Sequence, residues 1–183
     1  MGEDLDIYDE NDNPTGEVLP FGEVHARKLW HRVIDGHVVN SKGEFLLARR
    51  AMTTVNNPGE WDCAFGGHVN AGESYLEGAI REAKEEIGLD LSHNDLTFIV
   101  QTKSPDKRHH RHSFIVHRDV PLGVVAFNDG EVVEAKYVPW RELAAMSDED
   151  KAAARIRDLN MVEVFEYLER WETGTYGAGA GSA

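Results

Sequence analysis

Cysteine is almost absent. Cys63 is the single thiol in 183 residues, which excludes an internal disulfide framework and a zinc ribbon built on thiol pairs. A reducing compartment, the cytoplasm, is therefore expected. No apolar run reaches 18 residues, and the acidic N-terminus lacks a basic stretch followed by an apolar one, so neither a membrane span nor an export signal is expected. Positive charge is also scarce: 19 Lys and Arg against 33 Asp and Glu give a formal net charge of −14. That balance argues against a nucleic-acid polymer held over a broad surface. A small phosphate ester stays open if positive charge is concentrated locally, by a divalent cation or by clustered arginines.

What the chain does have is a carboxylate-rich helix between two glycines, GHVNAGESYLEGAIREAKEEIGL, from Gly67 to Leu89. Glu82, Glu85 and Glu86 stand at i, i+3 and i+4 and so share one helical face, where like charges repel unless a cation lies between them. Leu76, Ala79, Ile80, Ala83 and Ile87 make an apolar stripe able to enter a core. Glu73 or Ser74 can cap the first turn, and Gly88 can close the last one. As a plain solvated helix, the segment would gain only a few tenths of a kcal/mol from each of the pairs Glu77–Arg81 and Arg81–Glu85. That leaves the flanking glycines and the register unexplained.

The segment resembles the Nudix box, G-x5-E-x7-R-E-U-x-E-E-x-G-U with U apolar, at Gly67, Glu73, Arg81, Glu82, Ala83, Glu85, Glu86, Gly88 and Leu89. Seven strict letters in fixed register arise by chance on the order of once in 10^8 windows. The resemblance implies a single-domain α/β/α sandwich with a mixed β-sheet. It implies a magnesium- or manganese-dependent hydrolase of a small nucleotide or non-nucleotide substrate that contains a diphosphate, with a non-catalytic module that binds a phosphorylated ligand as an alternative. The metal ligands would be Glu82, Glu85, Glu86 and the Gly67 carbonyl, with Arg81 orienting the glutamates and Glu73 supporting loop and helix. Magnesium suits such a set, since it takes oxygen ligands and bridges carboxylates to phosphates. The general base would come from Glu86, Glu131 or Glu134, with Glu131 the candidate on a later loop.

Around this helix the patterns predict one α/β domain. Residues 1–24 read as an N-terminal strand or hairpin extension, 25–172 as the main domain and 173–183 as a flexible tail. HARKLWH reads as an irregular or helical linker, and RVIDGHVVN and EFLLARRA as central strands about the turn Ser41-Lys42-Gly43. WDCAFGGHV reads as one brief strand. Asp95–Lys103 and His112–Val120 are expected strands joined by the polar segment SPDKRHHR, and Val132–Trp140 another. A C-terminal helical region, capped by Ser147 and with a break near Asp158–Asn160, runs toward Trp171. It can pack on its own domain or on a partner, a homodimer being one option.

A second resemblance spans roughly residues 5 to 90. IYDENDNPTGE, His25 and His31, LLARRA, PGEWD and GGHVNAGES are similar to the branch that holds isopentenyl-diphosphate isomerase and its hydrolase-like relatives. Three departures turn this chain toward hydrolysis: Gly66 where the isomerase has a cysteine, no lysine near Thr54, and the retained pair Arg81-Glu82. Cys63 is a poor substitute, since an odd offset along a strand points it to the opposite face. The branch further implies a second metal, such as zinc, on His25, His31 and His68, with His110 and His112 near the remaining ligand positions. The cluster KRHHRH also reads as an exposed basic loop, or as a clamp in which Arg108 and Arg111 hold phosphate oxygens. Arg50 is the suggested diphosphate contact on the central strand. Aromatic burial makes Trp61 a core residue.

Overall fold

The computed structural model describes residues 3–127, 130–157 and 161–174. The expected tail from residue 175 and the break at 158–160 lie outside the described residues.

Alternating apolar residues make a mixed sheet of β3 (His31–Val39), β4 (Glu44–Arg50), β5 (Trp61–Asp62), β6 (Phe65–His68), β7 (Thr97–Ser104), β8 (His109–His117) and β9 (Val132–Pro139). The central strands β3, β4 and β8 feed two cores. Phe45, Leu47, Val39 and Ile115 face one side, while Leu46, Val38, Phe114 and Val116 face the other, as a period of two requires. The second side is covered by α2 (Tyr75–Ile87), whose Ala79 and Ala83 are fully buried and whose Ile87 is nearly so. Small residues let the helix sit close to the sheet. The first side is covered by α3 (Trp140–Ala145) and α5 (Val162–Glu172), through Leu143, Val164 and Leu168. The result is the three-layer α/β/α sandwich with a mixed sheet. Burying each of these large aliphatic side chains stabilises by about 1.5–3 kcal/mol before entropy is counted.

One irregularity makes room for a site. β3 and β4 pair only at their hairpin end, through Val38↔Leu46 and Val39↔Phe45, and then diverge. β6 takes the edge of β3 from Val33 to Gly36, and β5 pairs with β4 at Ala48 and Arg49. A cleft of about 1430 Å³ opens there, lined by Ile34, Asp35, Ala48, Arg50, Cys63 and Gly66 among others. On the far side β3 runs parallel to β8 over nine residue pairs, from His31↔His109 to Val39↔His117.

The N-terminal hairpin of β1 (Asp4–Tyr8) and β2 (Pro14–Pro20) forms as expected. It leads into α1 (Phe21–Arg27), so the linker is helical up to Arg27 and turns at Lys28 in the left-handed region (φ 53°). Asp12, at the hairpin turn, accepts from Arg32 Nε (2.8 Å), the Tyr75 hydroxyl (3.3 Å) and the Gln101 amide (3.0 Å), which pins the hairpin to the sheet and α2.

Two sequence expectations are corrected. WDCAFGGHV is two strands with different partners, because residues 63–64 leave the ladder. The polar segment SPDKRHHR is partly strand: His109, His110 and Arg111 belong to β8, where parallel pairing with β3 overrides their polarity. The C-terminal helical region is split into α4 (Asp148–Ala153) and α5, with Ile156 between them bridged to Trp61 in parallel.

Candidate active site

Ser74, the actual cap, accepts from the Glu77 amide, Glu77 answers with its side chain, and Gly88 closes α2 in the left-handed region (φ 69°). The register of the three glutamates is therefore locked at both ends. Glu82 is 8% exposed and Glu86 4% exposed, whereas Glu85 is exposed. Glu86 Oε2 accepts from the Gly66 amide at 2.8 Å. Arg81 ties the group together: Nη1 donates to Glu82 (2.9 Å) and Glu85 (3.0 Å), Nε to Glu73 (3.0 Å), and Nη2 to the His68 carbonyl (2.8 Å). Glu73 also accepts from the Asn70 amide (2.9 Å), so it supports the loop into the helix. Burial pushes the Glu82 carboxyl up to about 7 against the pull of Arg81, with Glu3 and Glu85 adding repulsion. A buried carboxylate of this kind suits a bound cation.

The two glycines of β6 are dictated by close approach. A Cβ on Gly67 would fall on the Glu82 carboxylate, and one on Gly66 would meet the Ile34 carbonyl at 2.9 Å. A cysteine therefore does not fit at position 66. Cys63 Sγ lies 3.4 Å from that same Cβ position and lines the cleft. The alternation argument against Cys63 fails here because the chain between 62 and 65 is not a strand. Burial, reinforced by Asp62 and Asp35, pushes the Cys63 thiol up, so it stays protonated.

Across β6 from the glutamates, imidazoles converge. His25 Nε2 and His68 Nε2 are 3.1 Å apart, and one ring nitrogen each of His25, His31 and His68 lie within 4.8 Å of one another. The His31 ring meets that of His109 at 4.6 Å. His31 Nδ1 donates to the Leu29 carbonyl (2.8 Å), which fixes the tautomer and leaves the buried Nε2 as an unpartnered acceptor among the described residues. Both ring nitrogens of His109 are likewise buried without a partner among the described residues. Burial, followed by the neighbouring imidazoles, holds His68 down at about 3 and His109 at about 2. Neutral imidazoles with inward lone pairs fit a nitrogen-binding metal.

His110 and His112 are not part of this group. On β8 they point to the opposite face from His109: His110 stacks on Trp30 and bonds the Asp9 carbonyl (2.8 Å), and His112 stacks on Tyr75 with centroids 3.5 Å apart. The missed residue is His109. Strand alternation would have selected it once β8 was known to start there.

Arg50 and Arg111 line the cleft. Arg50 Nη2 lies 3.5 Å from Glu131, which also lines the cleft. Arg49 turns away to Glu134 (3.0 Å), and neither of these two lines the cleft. Arg108 is corrected: in a left-handed turn (φ 58°), its guanidinium lies over Trp30 at 5.2 Å, outside the cleft lining. Trp61 is in the core at 9% exposure. Glu3, Asp35, Asp62, Lys107 and Arg157 also line the cleft and were not expected as site residues, although Asp62 ends PGEWD and Lys107 opens KRHHRH.

The family model described as NUDIX domain matches residues 29–159. The chain belongs to the Nudix family. Its α2 carries the segment that resembles the Nudix box and packs against β6 and β3. Nudix hydrolase 3 of Arabidopsis thaliana is 30% identical over 163 residues, covering 82% of this chain and 21% of the relative. Isopentenyl-diphosphate Delta-isomerase of Kocuria rhizophila is 36% identical over 95 residues, covering 51% of each. Both hydrolases and isomerases of the family are therefore relatives of this Nudix chain. It spans about half the length, or less, of several curated relatives. Among solved structures, that of DR0079 from Deinococcus radiodurans superposes with a TM-score of 0.69 at 23% identity, covering 90% of this chain and 98% of that one. At that identity the match speaks to the fold.

Proposed function

We propose that this Nudix protein is a divalent-metal-dependent hydrolase that cleaves the diphosphate linkage of a small substrate by water attack on phosphorus. The observation that carries this reading is the convergence of Glu82, Glu85 and Glu86 on the tight Gly66–Gly67 backbone, with a buried Glu82 that favours a cation. Glu82, Glu85, Glu86 and the Gly67 carbonyl would hold Mg2+ or Mn2+. When bound, such an ion neutralises phosphoryl charge and lowers the pKa of water. Arg81 keeps the carboxylates in register, and Arg50 meets the diphosphate. Glu131, held near Arg50 at the cleft, takes the proton from the attacking water as the oxygen–phosphorus bond forms and the bridging oxygen leaves with the second phosphoryl group. His25, His31, His68 and His109 form a second, nitrogen-only site suited to zinc or manganese.

A second reading, isomerisation of isopentenyl diphosphate, is favoured by one observation: the protonated Cys63 thiol beside the position of Gly66. Incubation with isopentenyl diphosphate and Mg2+ separates the two. Monophosphate release supports hydrolysis, and formation of the dimethylallyl isomer would overturn it. Among nucleoside, sugar and isoprenyl diphosphates, turnover that requires Mg2+ or Mn2+ is the expected result. Turnover undiminished by Glu86→Gln would sink the metal-hydrolysis reading.

A further inference from the structure

The Nudix box supplies carboxylates, yet the same cleft is also lined by Lys107, Arg111 and Arg157. Arg111 follows His109 on the same face of β8, and its Nη1 lies 3.5 Å from Asp35. Asp35 is 6% exposed and also accepts from the Ser113 hydroxyl at 2.8 Å. Arg157 arrives from the other direction. The segment after α4 adds to the edge of β5, with the Trp61 amide donating to the Arg155 carbonyl (2.8 Å) and the Arg157 amide to the Trp61 carbonyl (2.9 Å). That register sets Arg157 Nη1 on Asp62 at 2.6 Å, where Asp62 is buried and also accepts from the Cys63 amide. Each guanidinium is thus anchored from behind by a buried carboxylate, and most of its five N–H donors stay available.

Lys107, on the turn between β7 and β8, completes the set. It forms no ion pair within 4.0 Å among the described residues. Lys107 lines the cleft together with Arg111 and Arg157. Asp106 lines the same part of the cleft, so the three cations balance Asp35, Asp62 and Asp106 only on count. The two buried aspartates are spent on positioning the arginines. In a chain with net charge −14, such a convergence of like charge is stabilised by an anionic ligand.

We propose that Lys107, Arg111 and Arg157 form an oxyanion subsite that binds a phosphoryl group of the substrate in the same cleft as the Nudix carboxylates. This rests on the hydrolase reading and adds the second half of the grip. With Glu82, Glu85 and Glu86 holding a cation for one phosphoryl group, the clamp would neutralise the other, which would fix the direction in which a diphosphate lies. The clamp selects against substrates whose far end is uncharged.

Lys107 sits on an exposed turn, so Lys107→Gln tests the clamp without disturbing the buried pairs. The probe is methylenediphosphonate, which cannot be hydrolysed at its P–C–P bridge, titrated calorimetrically with Mg2+ present. Mn2+ affinity, read by electron paramagnetic resonance, reports the carboxylate site separately. Probe affinity is expected to fall about tenfold in Lys107→Gln, with Mn2+ affinity unchanged. Arg157→Lys, which keeps a charge for Asp62 but loses the planar fork, is expected to weaken the probe while leaving the melting temperature near that of the parent. Equal probe affinity in the parent and in Lys107→Gln would overturn the clamp and leave the hydrolase reading standing. Failure of the parent both to bind the probe and to cleave any diphosphate would overturn both.

Discussion

Glu82 is where burial and charge conflict most at the scale of a single residue. Its carboxylate is pressed against Gly67, one edge held by Arg81, in surroundings that push it up to about 7. Gly67→Ala would drive a methyl into that carboxylate, so Mn2+ affinity measured by resonance titration should fall about tenfold or more while the fold persists. Unchanged affinity would mean that Glu82 is not a ligand. The identity of these residues was readable in advance because the box is a local pattern in which residue types and spacing carry the chemistry. Cys63 was misread for the opposite reason. Its direction depends on a two-residue gap between β5 and β6, which is set by their different partners, β4 and β3.

At the scale of elements, β8 carries two different chemistries on its two faces. His109 faces the imidazole group, whereas His112 lies flat on Tyr75 and is held down to about 4, first by burial. The unfolded chain protonates this residue near its ordinary 6.5. Between the two values the unfolded state binds more protons, so the stability His112 confers is present above 6.5 and is lost as pH falls toward 4. The loss should amount to about 2 kcal/mol in denaturant titrations. His112→Phe should flatten that slope while keeping the stack. The same pair of positions tests the second metal: His109→Ala should lower bound zinc by one equivalent in equilibrium dialysis, and His112→Phe should retain it. Loss of zinc in both would contradict the two-faced strand. The helix α2 was legible from its period and caps. The start of β8 was not, since KRHHRH looks like a solvated loop until its parallel partner β3 is known.

The whole molecule builds its site where β3 and β4 part. Their hairpin and a single α/β domain were expected from alternating and 3.6-residue patterns, with the family resemblance supplying the three-layer sandwich and its mixed sheet. The divergence itself was hidden, because it follows from which strands fill the gap rather than from any one segment. The cationic wall was hidden likewise: Lys107, Arg111 and Arg157 come from a turn, a strand and a segment after α4, brought together only by tertiary pairing. One fold-level consequence concerns Gly36, over which the Phe65 ring lies so closely that a Cβ would occupy it. Gly36→Ala should destabilise the domain by about 1–3 kcal/mol in urea unfolding, since the ring, fully buried, has nowhere to move.

The central claim is that water cleaves a diphosphate through metal held on the α2 glutamates. It is tested most directly by turning over the substrate found in the diphosphate screen in 18O-labelled water and following the products by phosphorus NMR. With Mg2+ or Mn2+, label should appear in one phosphate product of the parent protein, and turnover should fall by about 10²-fold or more in Glu86→Gln or on removal of the metal. Cleavage that persists at the parent rate in Glu86→Gln, or a phosphate product free of label, would contradict the account.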